Sequence, residues 1–126
     1  MRREHLALAV WTVLVVVLLL LPGGWLSGPE LAGIATVAGI PHFDKLVHAF
    51  LFGVLAWLAC GSLRQIGARW PVMLALLGAV LLGTMLELIQ PIVDRSGELE
   101  DALADGGGAF LAAALWGRGG RSRRRD

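Results

Sequence analysis

Charge is what this chain has least of. Only 21 of its 126 residues are Asp, Glu, Lys or Arg, and none falls between Leu6 and Pro29. Charged residues make up 17% against 56% hydrophobic, where a soluble domain carries about 25% and about 45–50%. A disordered chain needs the opposite balance, so that class is excluded, and an ordinary soluble domain is disfavoured. The net charge is +1, and the basic residues that cluster lie at the tails, which argues against a nucleic-acid partner. Cysteine is the second shortage. Cys60 stands alone, so there is no intramolecular disulfide and no cysteine metal motif. Its expected role is that of a small apolar packing residue. The length suits one compact unit, and there is no internal repeat.

What the chain does have is long apolar runs. A bilayer core of about 30 Å takes about 20 apolar residues per helix. Four stretches qualify or come close, at about 5–25, 45–63, 70–93 and 101–116. The first stops at Pro22-Gly23-Gly24. Met1-Arg2-Arg3 before it resembles a signal-peptide start, but the core is long and no A-x-A-like site follows, so it reads as a retained helix. The fourth is short and needs local thinning or burial among its neighbours. The fold expected is an all-α integral membrane protein, a bundle of four transmembrane helices. With both termini on one side, nine of the eleven Lys and Arg fall on that side and only Lys45 and Arg95 on the other, which makes the termini cytoplasmic. Trp25, Trp70 and Trp116 sit at the expected span ends, where indole favours the interface. Residues 29–43 are too short to span and are expected to lie along the outer surface. Residues 117–126 form a basic tail, expected to be disordered and to act as a topology determinant or to touch anionic headgroups.

Polar groups inside a membrane are costly, and those present need a reason. They are Asp44, Lys45 and His48 at span two, Glu87 and Gln90 in span three, Asp94, Arg95, Glu98 and Glu100 in the outer loop, and Asp101 and Asp105 in span four. Glu87 lies 17 residues beyond Trp70, about 26 Å along the helix and near the outer edge of the core. His48 and Asp105 each lie four residues inside an aspartate, about 6 Å deep. Three spans thus carry ionisable groups at one level. Asp44, His48 and Phe52 share a face, as do Glu87 and Gln90. Asp101, Asp105, Gly108 and Ala112 form one stripe, whose two small residues allow close helix approach. Pro91 either leaves the Glu87 carbonyl without its helical partner or simply ends the helix. His5 and His42 read as bystanders.

Four roles stand open for the cluster. It is a structural polar network, a site for a polar headgroup or peptide, a catalytic His–carboxylate pair, or a metal site. Lys45 and Arg95 suit phosphate or carboxylate, and the acids suit amines or hydroxyls. Two cations in the set and the lack of a compact spacing such as H-E-x-x-H argue against a metal, so no metal and no cofactor are assigned. No catalytic residue is assigned either.

The residues Asp44-Lys45-x-x-His48-x-x-x-Phe52, Glu87-x-x-Gln90, Arg95, Asp101, Asp105 and Gly108 occur in this order along the chain. In this pattern the chain resembles the VanZ-like membrane proteins, over roughly residues 43–115. The resemblance implies a single VanZ-like transmembrane domain over 1–126, in a bacterial inner membrane. The family's namesake is associated with low-level teicoplanin resistance. Asp105 departs from the asparagine common in the family. An ionised aspartate accepts hydrogen bonds but cannot donate them, so the ligand at this position differs if an amide donor matters.

The leading expectation is a binding or accessory protein of the cell envelope with an outward-facing polar pocket. Its partners would be the bilayer, an envelope lipid headgroup or cell-wall precursor, or a membrane protein. An integral-membrane enzyme acting on a lipid-linked substrate comes second. An ion or proton pathway comes third, because a relay needs groups at several depths and these gather at one.

Overall fold

The computed structural model describes residues 3–21, 43–93 and 99–122, with side chains at 3–21, 45–93 and 99–119. Every regular element among them is helical. Helix α1 is Arg3–Leu20, α2 is Phe43–Gln65, α3 is Pro71–Ile89 and α4 is Leu99–Ser122. A 3₁₀ turn, Gln90–Val93, follows α3. Trp25, residues 29–42 of the expected surface segment with His42, Arg95 and the last four residues of the tail lie outside the described residues, and Phe43 opens α2.

The helices form for reasons that differ along the chain. Three consecutive valines, Val15, Val16 and Val17, make α1 a mediocre helix former in water. The helix is nonetheless 18 residues long, and packing of Val15 and Leu19 into the core supports it. Helix α2 ends in a Schellman motif. Gly67 takes a φ of 75°, the Ala68 N–H reaches the Leu63 carbonyl at 3.0 Å, and the Gly67 N–H reaches Arg64 at 3.1 Å. Glycine adopts that left-handed conformation without a Cβ penalty, and two orphan carbonyls are satisfied. Three residues later Pro71 opens α3 at a position where a missing N–H costs nothing.

The four helices run up, down, up and down. His5 pairs with Ser62 through Nδ1 and Oγ, and the Trp11 indole N–H donates to the Leu51 carbonyl at 3.0 Å, so α1 and α2 are antiparallel. Lys45 meets Asp101 at one end of the α2–α4 pair, and Arg64 lies over the Trp116 ring at 5.5 Å at the other. These two helices are therefore parallel, and they share the largest interface in the molecule. The start of α1 and the ends of α2 and α4 meet at one end, around a cleft of about 480 Å³ lined by Glu4, Arg64 and Trp116.

Three helices are long and apolar enough to cross a membrane: α1, α2 and α3 with its 3₁₀ turn. Helix α4 is not short, as the sequence suggested. It has 24 residues, about 36 Å at 1.5 Å per residue. It also runs through Gly117–Ser122, where a disordered tail was expected. Its charged residues at both ends keep it out of the apolar class.

The buried faces follow helical periodicity. On α3 they are Ala75, Ala79, Gly83 and Leu86, and on α4 they are Asp101, Asp105, Ala109 and Ala113. Small residues every four positions bring helices close. Val15, Leu19, Leu51, Phe52 and Leu55 complete the main core. Many large apolar side chains point outward, among them Leu88, Ile92, Leu103 and Phe110. Such a surface suits lipid and not water.

Cys60 is fully buried between Ala75 and Ala113. Its thiol is expected to resist a maleimide probe in detergent-solubilised protein below the unfolding transition and to react fully above it. A thiol-reactive fluorophore followed through a temperature ramp checks this. Labelling at the unfolded rate in the cold would mean that the core around Cys60 is open.

Candidate functional site

At the end of the bundle opposite the Arg64 cleft, three helices deliver ionisable groups to one place. Helix α2 supplies Lys45 and His48, α3 supplies Glu87, and α4 supplies Glu100, Asp101 and Asp105. The reason is register. Lys45 and His48 lie on the face that α2 turns to α4, where the two helices approach most closely. Asp101 and Asp105 are four apart on α4, so both meet that face.

Close approach comes from Gly108. A Cβ built on it would stand 2.0 Å from the Ala49 carbonyl oxygen, so only glycine fits. One turn further along α2, a Cβ on Gly53 would stand 3.3 Å from the Gly108 carbonyl oxygen and 3.9 Å from Ala112. Gly83 makes room on α3. A Cβ there would lie 3.0 Å from Asp105 Oδ2 and 3.3 Å from the Phe52 ring.

The central contact is between His48 and Asp105, both almost fully buried. His48 Nδ1 and Asp105 Oδ1 share a hydrogen bond at 2.8 Å, and with Asp105 ionised it is the imidazole N–H that donates. An ionised carboxylate only accepts, so the proton belongs on Nδ1. That leaves Nε2 facing Asp101 Oδ2 at 3.8 Å, too far for a hydrogen bond. Glu87 closes the third side. One ligand-type atom each from His48, Glu87 and Asp101 lie within 4.8 Å of one another. Lys45 holds the rim, with its Nζ 3.2 Å from Glu100 and 3.5 Å from Asp101 Oδ1. Lys45 and Glu87 are engaged in further interactions as well.

Of the residues singled out from the sequence, Lys45, His48, Glu87, Asp101 and Asp105 are brought together. Gln90 is buried, but its amide donates to the Leu19 carbonyl at 3.4 Å and so ties α3 to the last turn of α1. The backbone of Asp44 lies in the first turn of α2. The side chain of Asp44 and the whole of Arg95 lie outside the described residues. Two contributors were not picked as site residues from the sequence. Glu100 pairs with Lys45; the sequence grouped it with the polar residues of the outer loop but not with the site. Gly83 accommodates the Asp105 carboxylate, and its signal was a small residue four before Glu87.

Comparison with family models, with curated proteins and with solved structures gives no match.

Proposed function

We propose that this chain is a VanZ-like, four-span protein of the bacterial inner membrane, with both termini cytoplasmic. In this reading the His48 end faces outward and binds a polar group of the envelope. The candidate ligands are a lipid headgroup or a cell-wall precursor, and the role is accessory to envelope or glycopeptide tolerance. The observation that carries the reading is the convergence of His48, Glu87, Asp101 and Asp105 from three helices at one end of an apolar bundle. An ionisable group at the centre of a membrane helix costs about 2.5–3.5 kcal/mol on insertion scales and less toward the edge, and four at one level point to a site. The placement of Arg64 and of the start of α1 at the opposite end supports the orientation, since that end holds the greater part of the positive charge.

The test is expression of wild-type chain and Glu87→Gln in a glycopeptide-sensitive Gram-positive host, with membrane levels matched. Wild type is expected to lower teicoplanin susceptibility, and the variant to restore it. Unchanged susceptibility at normal wild-type levels would remove the glycopeptide role and leave envelope lipids and membrane partners as the ligands to screen.

One contact favours a second reading, an enzyme acting on a lipid-linked substrate. The Asp105–His48 hydrogen bond orients Nε2 as a general base would need. It predicts that His48→Ala abolishes turnover while binding persists.

A further inference from the structure

We propose that His48 Nε2, with one carboxylate oxygen each from Glu87 and Asp101, forms a three-ligand site for a divalent transition cation of the zinc type. The inference rests on reading the cluster as a binding site and names what occupies it. The sequence argued against a metal on two grounds, the cations Lys45 and Arg95 in the set and the lack of a compact ligand spacing, and the second is the one that geometry addresses. The fold removes that objection, since the three ligands arrive from three different helices and lie within 4.8 Å of one another.

Three further observations agree. The first is the His48 tautomer. Metal-bound histidines usually give their other N–H to a carboxylate, which fixes the ring and raises its basicity. With Asp105 ionised, its Oδ1 accepts the Nδ1 proton at 2.8 Å, which leaves Nε2 with its lone pair on the side of Asp101 Oδ2. The second is spacing. Two donors at about 2.1 Å from one ion stand at most about 4.2 Å apart, and Nε2 and Asp101 Oδ2 are separated by 3.8 Å. That is longer than a hydrogen bond and short enough to share an ion, and the Glu87 atom, within 4.8 Å of the other two, has at most about 0.6 Å to close to meet the same limit.

The third is charge. Among the described residues, Glu87, Glu100, Asp101 and Asp105 bring four carboxylates to the end of the bundle that holds the Lys45 ammonium. Asp105 Oδ2 is buried with no hydrogen-bond partner among the described residues, and it faces α3 beside Gly83, one turn from Glu87. Lys45 does not compete for the same oxygen, because it holds Oδ1 of Asp101 while Oδ2 faces His48. One imidazole and two carboxylates suit zinc or manganese better than calcium or a thiolate-preferring ion. Three protein ligands leave a coordination position open, as in sites that bind an exchangeable ligand. At the outer end of the bundle that position would receive a phosphate or carboxylate oxygen of an envelope molecule.

The experiment uses full-length protein, purified in detergent on a tag free of histidine. It is stripped of metal, equilibrated with Zn²⁺, desalted and assayed by elemental mass spectrometry. Wild type is expected to retain about one Zn²⁺ per chain. His48→Gln, Glu87→Gln and Asp101→Asn are expected to lose it, and Asp105→Asn to weaken affinity by about 10–100-fold. His5→Gln retains it. Cys60 protection checks that each variant is folded, and a folded variant among the three suffices. No retention by wild type, or equal retention by folded ligand variants, overturns the metal site. The susceptibility assay separates this from the functional reading. Glu87-dependent tolerance without bound metal sinks the metal alone, and Zn²⁺ binding without any tolerance sinks the glycopeptide role alone.

Discussion

Gly108→Ala is expected to destroy the α2–α4 interface, while the same change at Gly107 leaves the protein as stable as wild type or more so. The added methyl at 108 would sit 2.0 Å from the Ala49 oxygen, 2.6 Å from its carbonyl carbon and 2.7 Å from its Cα. Ordinary carbon–oxygen contacts are about 3.3 Å or longer, so the helices must part by more than about 1 Å. No rotamer relieves this, because all three atoms are backbone. Overpacking a core costs about 1–3 kcal/mol and occasionally more, and a backbone-to-backbone clash in the largest interface belongs at about 3 kcal/mol or above. At Gly106 and Gly107 a Cβ meets nothing within 4 Å, and alanine there gains about 1 kcal/mol of helix propensity.

The readout is the temperature at which Cys60 becomes reactive. Gly108→Ala is expected to lower it by about 10 °C or more, using the usual size scaling for a small domain. Gly107→Ala is expected to hold or raise it. An unchanged temperature for Gly108→Ala would mean that the two helices are further apart than described. The effect reaches the site as well, because Ala49 follows His48 and Gly108 lies less than one turn from Asp105. Parting the helices pulls that hydrogen bond apart.

Hydrophobic run lengths alone show that α1, α2 and α3 exist, and the Arg64–Arg69 stretch between α2 and α3 marks a turn. The Schellman geometry at Gly67 was not anticipated, although a glycine just past an apolar run is its usual signal. Helix α4 was read as short because the count stopped where apolar residues stop. The helix is carried further, at one end by Leu99 and Glu100 and at the other through Gly117–Ser122. Composition there is a poor guide, since glycine and arginine say little about a helix already nucleated by its packed half. The site is a different case. Depth arithmetic puts His48, Glu87 and Asp105 at one level, because rise per residue is a fixed quantity. It cannot say which groups touch. That depends on the rotation of each helix, which Gly108, Gly53 and Gly83 set by allowing backbones to meet. Gln90 shows the limit, since it shares a face with Glu87 yet its amide is spent on Leu19 of α1.

The His48–Asp105 pair is expected to show the strongest coupling in the molecule. Both side chains are nearly inaccessible, at 4% and 2% exposed, and the bond between them is 2.8 Å. Removing one member of a buried pair leaves the other desolvated and unpaired, which costs about 3–5 kcal/mol. Asp105→Ala and His48→Ala should each lower the Cys60 unmasking temperature strongly. The double variant should cost less than the two single losses added, by a coupling of about 0.5–3 kcal/mol. Asp105→Asn is the informative third member. Its carbonyl still accepts from His48 Nδ1, so it should accumulate in membranes and stay folded while lacking the negative charge. A structural network would then be satisfied, and tolerance would survive the change. A site that needs the charge, whether to support a metal on Nε2 or to hold a cationic ligand, would lose activity with its fold intact. Additive losses from the two alanine variants would show that the pair is not coupled, and the argument from the His48 tautomer would fail with it.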